Sequence, residues 1–226
     1  NGVGIGIGVY SSTEGNSTET IYLDDYSNGG FGDDVVINFT AAGDGHIRHA
    51  GPHDPDMATA ARGYDIFDVS AIINGAVSQV DNDTTDDAEA ATIGGVFVNN
   101  SVVIIDTVEA NDLGFADTAT INSELTRLQN YAKNVIDTTA SANPTDEIWI
   151  TVNDTTNVGT FYYVQNGVAA NDATVTRIGS IQLGHYDQLG DTAQGKELIG
   201  DWDSITLTNF EVLTNDQMTI TFDQIG

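Results

Sequence analysis

Cysteine is absent from the 226 residues, so no disulfide can staple the chain and no thiol is available as a nucleophile or metal ligand. In an acidic chain rich in Thr, Asn, Asp and Gly, that absence points to a secreted β protein that does not depend on disulfides. Basic residues are nearly as scarce: 6 Lys and Arg stand against 34 Asp and Glu, a formal charge of −28. Nothing here could neutralise phosphates, which excludes nucleic acid as a natural partner and disfavours an anionic membrane surface. So large an excess of carboxylate repels itself unless cations bind or the salt is high. Divalent cations are therefore the expected partners of this surface, and a halophilic or marine source is the plainer explanation of the same imbalance. No apolar run approaches the length of a transmembrane helix. No signal peptide is visible, and the sequence, beginning at Asn1, is read as a processed form or a fragment.

What the chain does have is glycine, and one stretch organises the reading: Gly29-Gly30-Phe31-Gly32-Asp33-Asp34-Val35-Val36-Ile37. It fits the nine-residue pattern G-G-x-G-x-D-x-U-x at every fixed position, a pattern that in tandem builds calcium-binding β-rolls. Three glycines let the backbone take tight, partly φ > 0 turns that aim carbonyls inward. Asp34 supplies a hard anionic oxygen, and Val36 begins a short strand. The plainer reading of a single copy is a Gly-rich turn. Asp24, Asp25, Asn28, Gly30, Gly32 and Asp34 are close enough in sequence to converge on one Ca²⁺, with Asp65 and Asp68 joining from the following strand.

Around this stretch the chain reads as mainly β. Val3, Ile5, Ile7 and Val9 alternate with glycine, giving a strand with one apolar and one bare face. It pairs either within its own domain, the reading we favour, or with a neighbouring copy, where it is the candidate assembly strand. Residues 41–62 form a long segment with little periodicity. Residues 63–73 alternate apolar and acidic positions, as in a half-buried strand. An acidic loop or short helix at 81–90 gives a soft boundary between a glycine- and aspartate-rich region (1–90) and a sheet domain with one helix (91–226), although one compact domain fits as well. The helix is expected over 117–137, where Ile121, Leu125, Leu128, Ala132 and Val135 recur at helical spacing. Strands follow at 147–152, 160–165, 174–183 and 205–213, punctuated by glycines. The expected architecture is a sheet sandwich or roll with one amphipathic helix packed on it.

Several segments in this order resemble a known family. Gly29 to Ile37 is similar to the repeat of RTX (repeats-in-toxin) proteins, and Asp65-Ile66-Phe67-Asp68-Val69-Ser70 to the strand that follows such repeats. A helix, then Glu147 to Asp154, Gly159 to Val164, Ile178 to Leu183 and Leu207 to Phe210 complete the likeness to the C-terminal domain of S-layer and RTX-like proteins exported by type I secretion. The resemblance implies calcium-dependent folding outside the cell and assembly into a surface layer, adhesive or matrix. There is one nonapeptide rather than an array, and the 166–171 loop is poorer in acids than that family implies.

Other constellations are weaker. Asp81, Asn82, Asp83, Asp86 and Asp87 are spaced loosely like an EF-hand loop, but Gly at the sixth place and Glu at the twelfth are missing. His46, His49, His53 and Asp54 form a cluster that could hold a transition metal, at a spacing that fits no zinc signature. Nucleophile motifs are missing: there is no G-x-S-x-G and no H-E-x-x-H. Trp149, Phe161, Tyr162 and Tyr163 could form a sugar platform, yet on alternating strands they are more often core. The chain is therefore expected not to be an enzyme. It reads as a calcium-stabilised structural subunit of an extracellular layer, filament or matrix, whose partners are copies of itself. The alternative is a calcium-dependent adhesin or carbohydrate-binding module facing a cell-surface glycan.

Overall fold

The computed structural model describes residues 20–23, 30–37, 39, 41, 65–83, 96–106, 124–153, 156–184, 202 and 205–213, with backbone alone at 34–37, 81–83, 106 and 184. Nine strands and one α-helix appear among them: β1 (Thr20–Tyr22), β2 (Gly32–Ile37), β3 (Ile66–Asp68), β4 (Gln79–Asp83), β5 (Ser101–Asp106), α1 (Glu124–Tyr131), β6 (Thr145–Asn153), β7 (Val158–Asn166), β8 (Thr174–Gly184) and β9 (Phe210–Glu211). The mainly β reading with one helix holds.

The strands form two sheets, a three-stranded one in the order β1-β3-β9 and a six-stranded one in the order β2-β8-β7-β6-β5-β4. Residues 1–90 and 91–226 both contribute strands to both sheets. The small sheet is parallel throughout. In the large sheet β7 alone is reversed, forming hairpins with β6 and β8, while β2, β4 and β5 join by parallel pairing. Parallel neighbours need long crossovers. The β5–β6 crossover holds α1, so that pair and its helix form a β-α-β unit inside a β-rich chain.

The crossover explains why β6 is an apolar run rather than an alternation, since a sheet covered on both faces buries every side chain. Ile148, Ile150, Phe161 and Tyr163 point toward the small sheet and share a core with Phe67 and Trp202. Val103, Trp149, Tyr162 and Val164 point the other way, against Leu128, Tyr131 and Ala132 of α1 and its continuation. Phe67, fully buried, is the hub of the inter-sheet core. It stacks on Phe39 at 4.6 Å and on Trp202 at 6.0 Å, and meets Phe210 at 5.5 Å. Burying each such ring is worth roughly 1.5–3 kcal/mol.

Four expectations differ from what is found. Residues 81–83, expected in an acidic loop or short helix, instead end β4, where pairing with Val103 to Ile105 of β5 holds them extended. The helix is described from Glu124, so the expected positions from 117 to 123 lie outside the described residues. After Tyr131 it widens into a π-helical turn (Ala132–Ile136). The extra residue per turn rotates the face: Val135, expected inward, is half exposed, and Ile136 packs on the core in its place. Of the stretch 63–73, the described residues 65–73 do not form one long half-buried strand. β3 has three residues, all buried, and Ser70 to Ile72 turn away, with the Ile72 and Ile73 N–H groups both donating to Val69 O. Residues 205–213 hold a 3₁₀ turn (Leu207–Asn209) and the two-residue β9 rather than one strand.

Candidate functional site

The glycine stretch is placed at the edge of the large sheet, where β2 pairs in parallel with β8. Gly30 (φ +74°) and Gly32 (φ +84°) both adopt the left-handed backbone that the motif requires. Between them Phe31 donates its N–H to Ile178 O at 3.0 Å and packs edge-on against Phe161 at 5.4 Å. The partner strand is bulged here: Phe161 pairs with Gly179, Tyr162 with Arg177, and Ile178 is the extra residue. A Cβ on Gly179 would come within 2.5 Å of the Phe31 ring, so the bare position on β8 is the seat of that aromatic.

Beside this turn, Asp33 accepts hydrogen bonds from the Ser180 hydroxyl and the Arg177 guanidinium, both at 2.5 Å. The Ser180 bond, and then Arg177, hold its carboxyl below the usual carboxylate range. The pair is exposed, so it contributes little to stability.

Of the proposed calcium ligands, Gly30 and Gly32 lie in this turn and Asp34 follows on β2, while Asp24, Asp25 and Asn28 lie outside the described residues. Asp68 ends β3 in the other sheet, and Asp65 immediately precedes that strand. Asp68 is buried, and its Oδ1 accepts N–H bonds from Ser70 at 2.9 Å and Leu213 at 3.3 Å. Register sets Tyr22 opposite Asp68, and Leu23 donates its N–H to Asp68 O. Among the described residues no three His, Asp or Glu side chains converge on one point. His46, His49, His53 and Asp54, and the assembly positions Val3, Ile5, Ile7 and Val9, lie outside the described residues.

The 166–173 hairpin is organised by carboxylates acting on backbone amides. Asp137, buried, accepts the N–H of Asp172 at 2.6 Å and of Ala173 at 2.9 Å through Oδ2. Asp172 in turn accepts the N–H of Gly167 and of Ala169, each at 2.9 Å.

A concave site that the sequence reading did not find lies on the helix side of the large sheet, where β6 and β8 end and β7 begins. Glu124, the first residue of α1, reaches over Thr151 and Asn153 at the end of β6. Thr156 in the following turn, Val158 and Thr160 of β7, and Gln182 of β8 complete a groove of about 410 Å³. Ligand sites commonly have this size. Register brings these residues together, with Thr151 opposite Thr160, and Val158 opposite both Asn153 and Gln182. The Thr151 hydroxyl donates to Glu124 Oε1 at 2.5 Å, and the Tyr162 hydroxyl donates to the same oxygen. Burial, and then the Glu124 carboxylate, push the Tyr162 phenol far above its usual value, so it stays a donor. In a chain this rich in Thr and Glu, the sequence signal for such a site is slight: Thr151-x-Asn153 and Val158-x-Thr160 share a face only once the hairpin register is known.

The four aromatic residues considered as a sugar platform, Trp149, Phe161, Tyr162 and Tyr163, are all buried. No helix among the described residues is long and apolar enough to cross a membrane. Compared with known proteins, the chain matches no family model, no curated protein and no solved structure.

Proposed function

We propose that this chain is a calcium-stabilised structural domain of an extracellular assembly: a surface layer, filament or matrix. The observation that carries the reading is the left-handed backbone at both Gly30 and Gly32, the latter two residues ahead of Asp34. Such a turn exposes carbonyls beside carboxylates, the oxygen set that Ca²⁺ prefers. Charge supports it. Even with every Lys and Arg paired, 28 of the 34 acids would lack a cationic partner (34 − 6). Bound divalent ions relieve that repulsion and thereby couple folding to calcium.

Assembly follows from the same reasoning. Residues 1–13 carry no charged side chain, so Val3, Ile5, Ile7 and Val9 offer a strand that an acidic neighbour does not repel.

Size-exclusion light scattering and thermal melting, each run in millimolar calcium and in EGTA, test both parts. An ion at a hundredfold its dissociation constant stabilises by about 2.7 kcal/mol, which for a chain of this size raises Tm by about 5–10 °C. The expected result is that shift together with a larger mass in calcium. Identical mass and melting in the two buffers would overturn the reading.

A further inference from the structure

The geometry points to a second role for the chain: the groove between Glu124, Thr160 and Gln182 is a binding site for a neutral saccharide. Its anchor is a carboxylate held from one side. Glu124 Oε1 takes the hydroxyls of Thr151 and Tyr162, which fixes the side chain, while Oε2 accepts no hydrogen bond from a described residue and is left for a ligand.

The rest of the lining is prepared in the same way. Asn153 Oδ1 accepts the Thr156 N–H at 3.0 Å, which leaves its NH₂ to donate. Gln182 Nε2 donates to Thr156 O at 3.1 Å, which leaves its carbonyl oxygen to accept. Thr160 offers a hydroxyl that can do either. Acceptor, donor, acceptor and hydroxyl therefore alternate around one groove, the pattern that adjacent sugar hydroxyls satisfy. Val158 supplies an apolar patch for the C–H face of a ring.

Other ligand classes fit less well. A calcium ion wants six to eight oxygens, several of them charged, whereas Glu124 is the one carboxylate among the described lining residues and half of it is already engaged. An anion would meet Glu124 and a chain of charge −28. Among the described lining residues Glu124 is a single carboxylate, whereas glycoside hydrolysis uses a pair, so the role proposed for the groove is binding.

Affinity electrophoresis of the full chain, in gels containing α-glucan, β-glucan, mannan or galactomannan at millimolar calcium, tests this site separately from the structural role. Retardation by at least one of these neutral polymers is expected. Glu124→Gln keeps an oxygen for Thr151 and Tyr162 but loses the charge, and Thr160→Val removes one hydroxyl at constant shape. Each should weaken retardation roughly tenfold, with unchanged circular dichroism. No retardation by any of the four polymers, or retardation untouched by both variants, would overturn the proposal. So would retention on immobilised spermine that Glu124→Gln abolishes, since the groove would then be an amine site.

Discussion

The Cα of Gly30 sits against the backbone of Ile178, so that a Cβ there would overlap the Ile178 carbonyl oxygen and come within 2.6 Å of its carbon. Gly32, two residues on, has an equally left-handed backbone but open space around it. The two glycines of one motif are thus required for different reasons. Gly32→Ala should cost about 1–2 kcal/mol, the price of a left-handed backbone alone. Gly30→Ala should cost clearly more, because β2 must also lift from the β8 bulge. Urea denaturation of the pair measures the difference, and equal losses would show that the contact with Ile178 is immaterial.

Glu147 is buried on the helix side of the large sheet, where it accepts the Trp149 indole N–H at 2.7 Å and the Val98 backbone N–H. Burial outweighs these bonds and pushes its carboxyl up to about 7. The folded state then binds a proton that the unfolded state has released between pH 4.5 and 7. This group's contribution is therefore fully present below pH 4.5 and declines as pH rises to about 7, by about 3 kcal/mol in all. Other acids add their own slope as they ionise and repel. The measurement is accordingly a comparison: unfolding free energies at pH 5 and pH 8 for the native chain and for Glu147→Gln. The variant should show the smaller pH dependence, and parallel profiles would refute the assignment.

Removing the Asp137 carboxylate should unpin the 166–173 hairpin. Asp137→Ala leaves the Asp172 and Ala173 amides without their acceptor. An unmet buried donor costs about 1–3 kcal/mol. Hydrogen exchange at those two amides should accelerate well before the β6 amides respond, and unchanged protection at both would count against the role.

Gly159 gives the Trp202 indole its place, since a Cβ would come within 2.6 Å of the ring. Trp202 is almost fully buried, stacks on Phe67, and donates its indole N–H to Asn157 O at 3.2 Å. Gly159→Val should expel the indole, at a cost of about 3–5 kcal/mol, similar to Trp→Ala in a core. A red-shifted tryptophan emission in the folded variant is the accompanying signature. Emission unchanged from the native chain would mean that the ring had not moved.

The sequence by itself determined that the described chain is mainly strands with one helix, that two glycines take left-handed backbone, and that the net charge is −28. These are local properties: side-chain branching, apolar spacing, the φ freedom of glycine and a count of ionisable groups. Val102 to Ile105 and Glu147 to Val152 are legible as strands without any partner. What only the tertiary structure decided is which distant residues meet. It placed Asp68 in the small sheet and the glycine turn in the large one, turned Val135 outward through the π-helical turn, and joined Glu124 to Tyr162 across 38 residues. Strand order and register depend on pairing energies summed over the whole sheet, and a one-residue slip sends every side chain to the opposite face. That is why the groove at the strand ends is visible in the folded chain and not in the order of its residues.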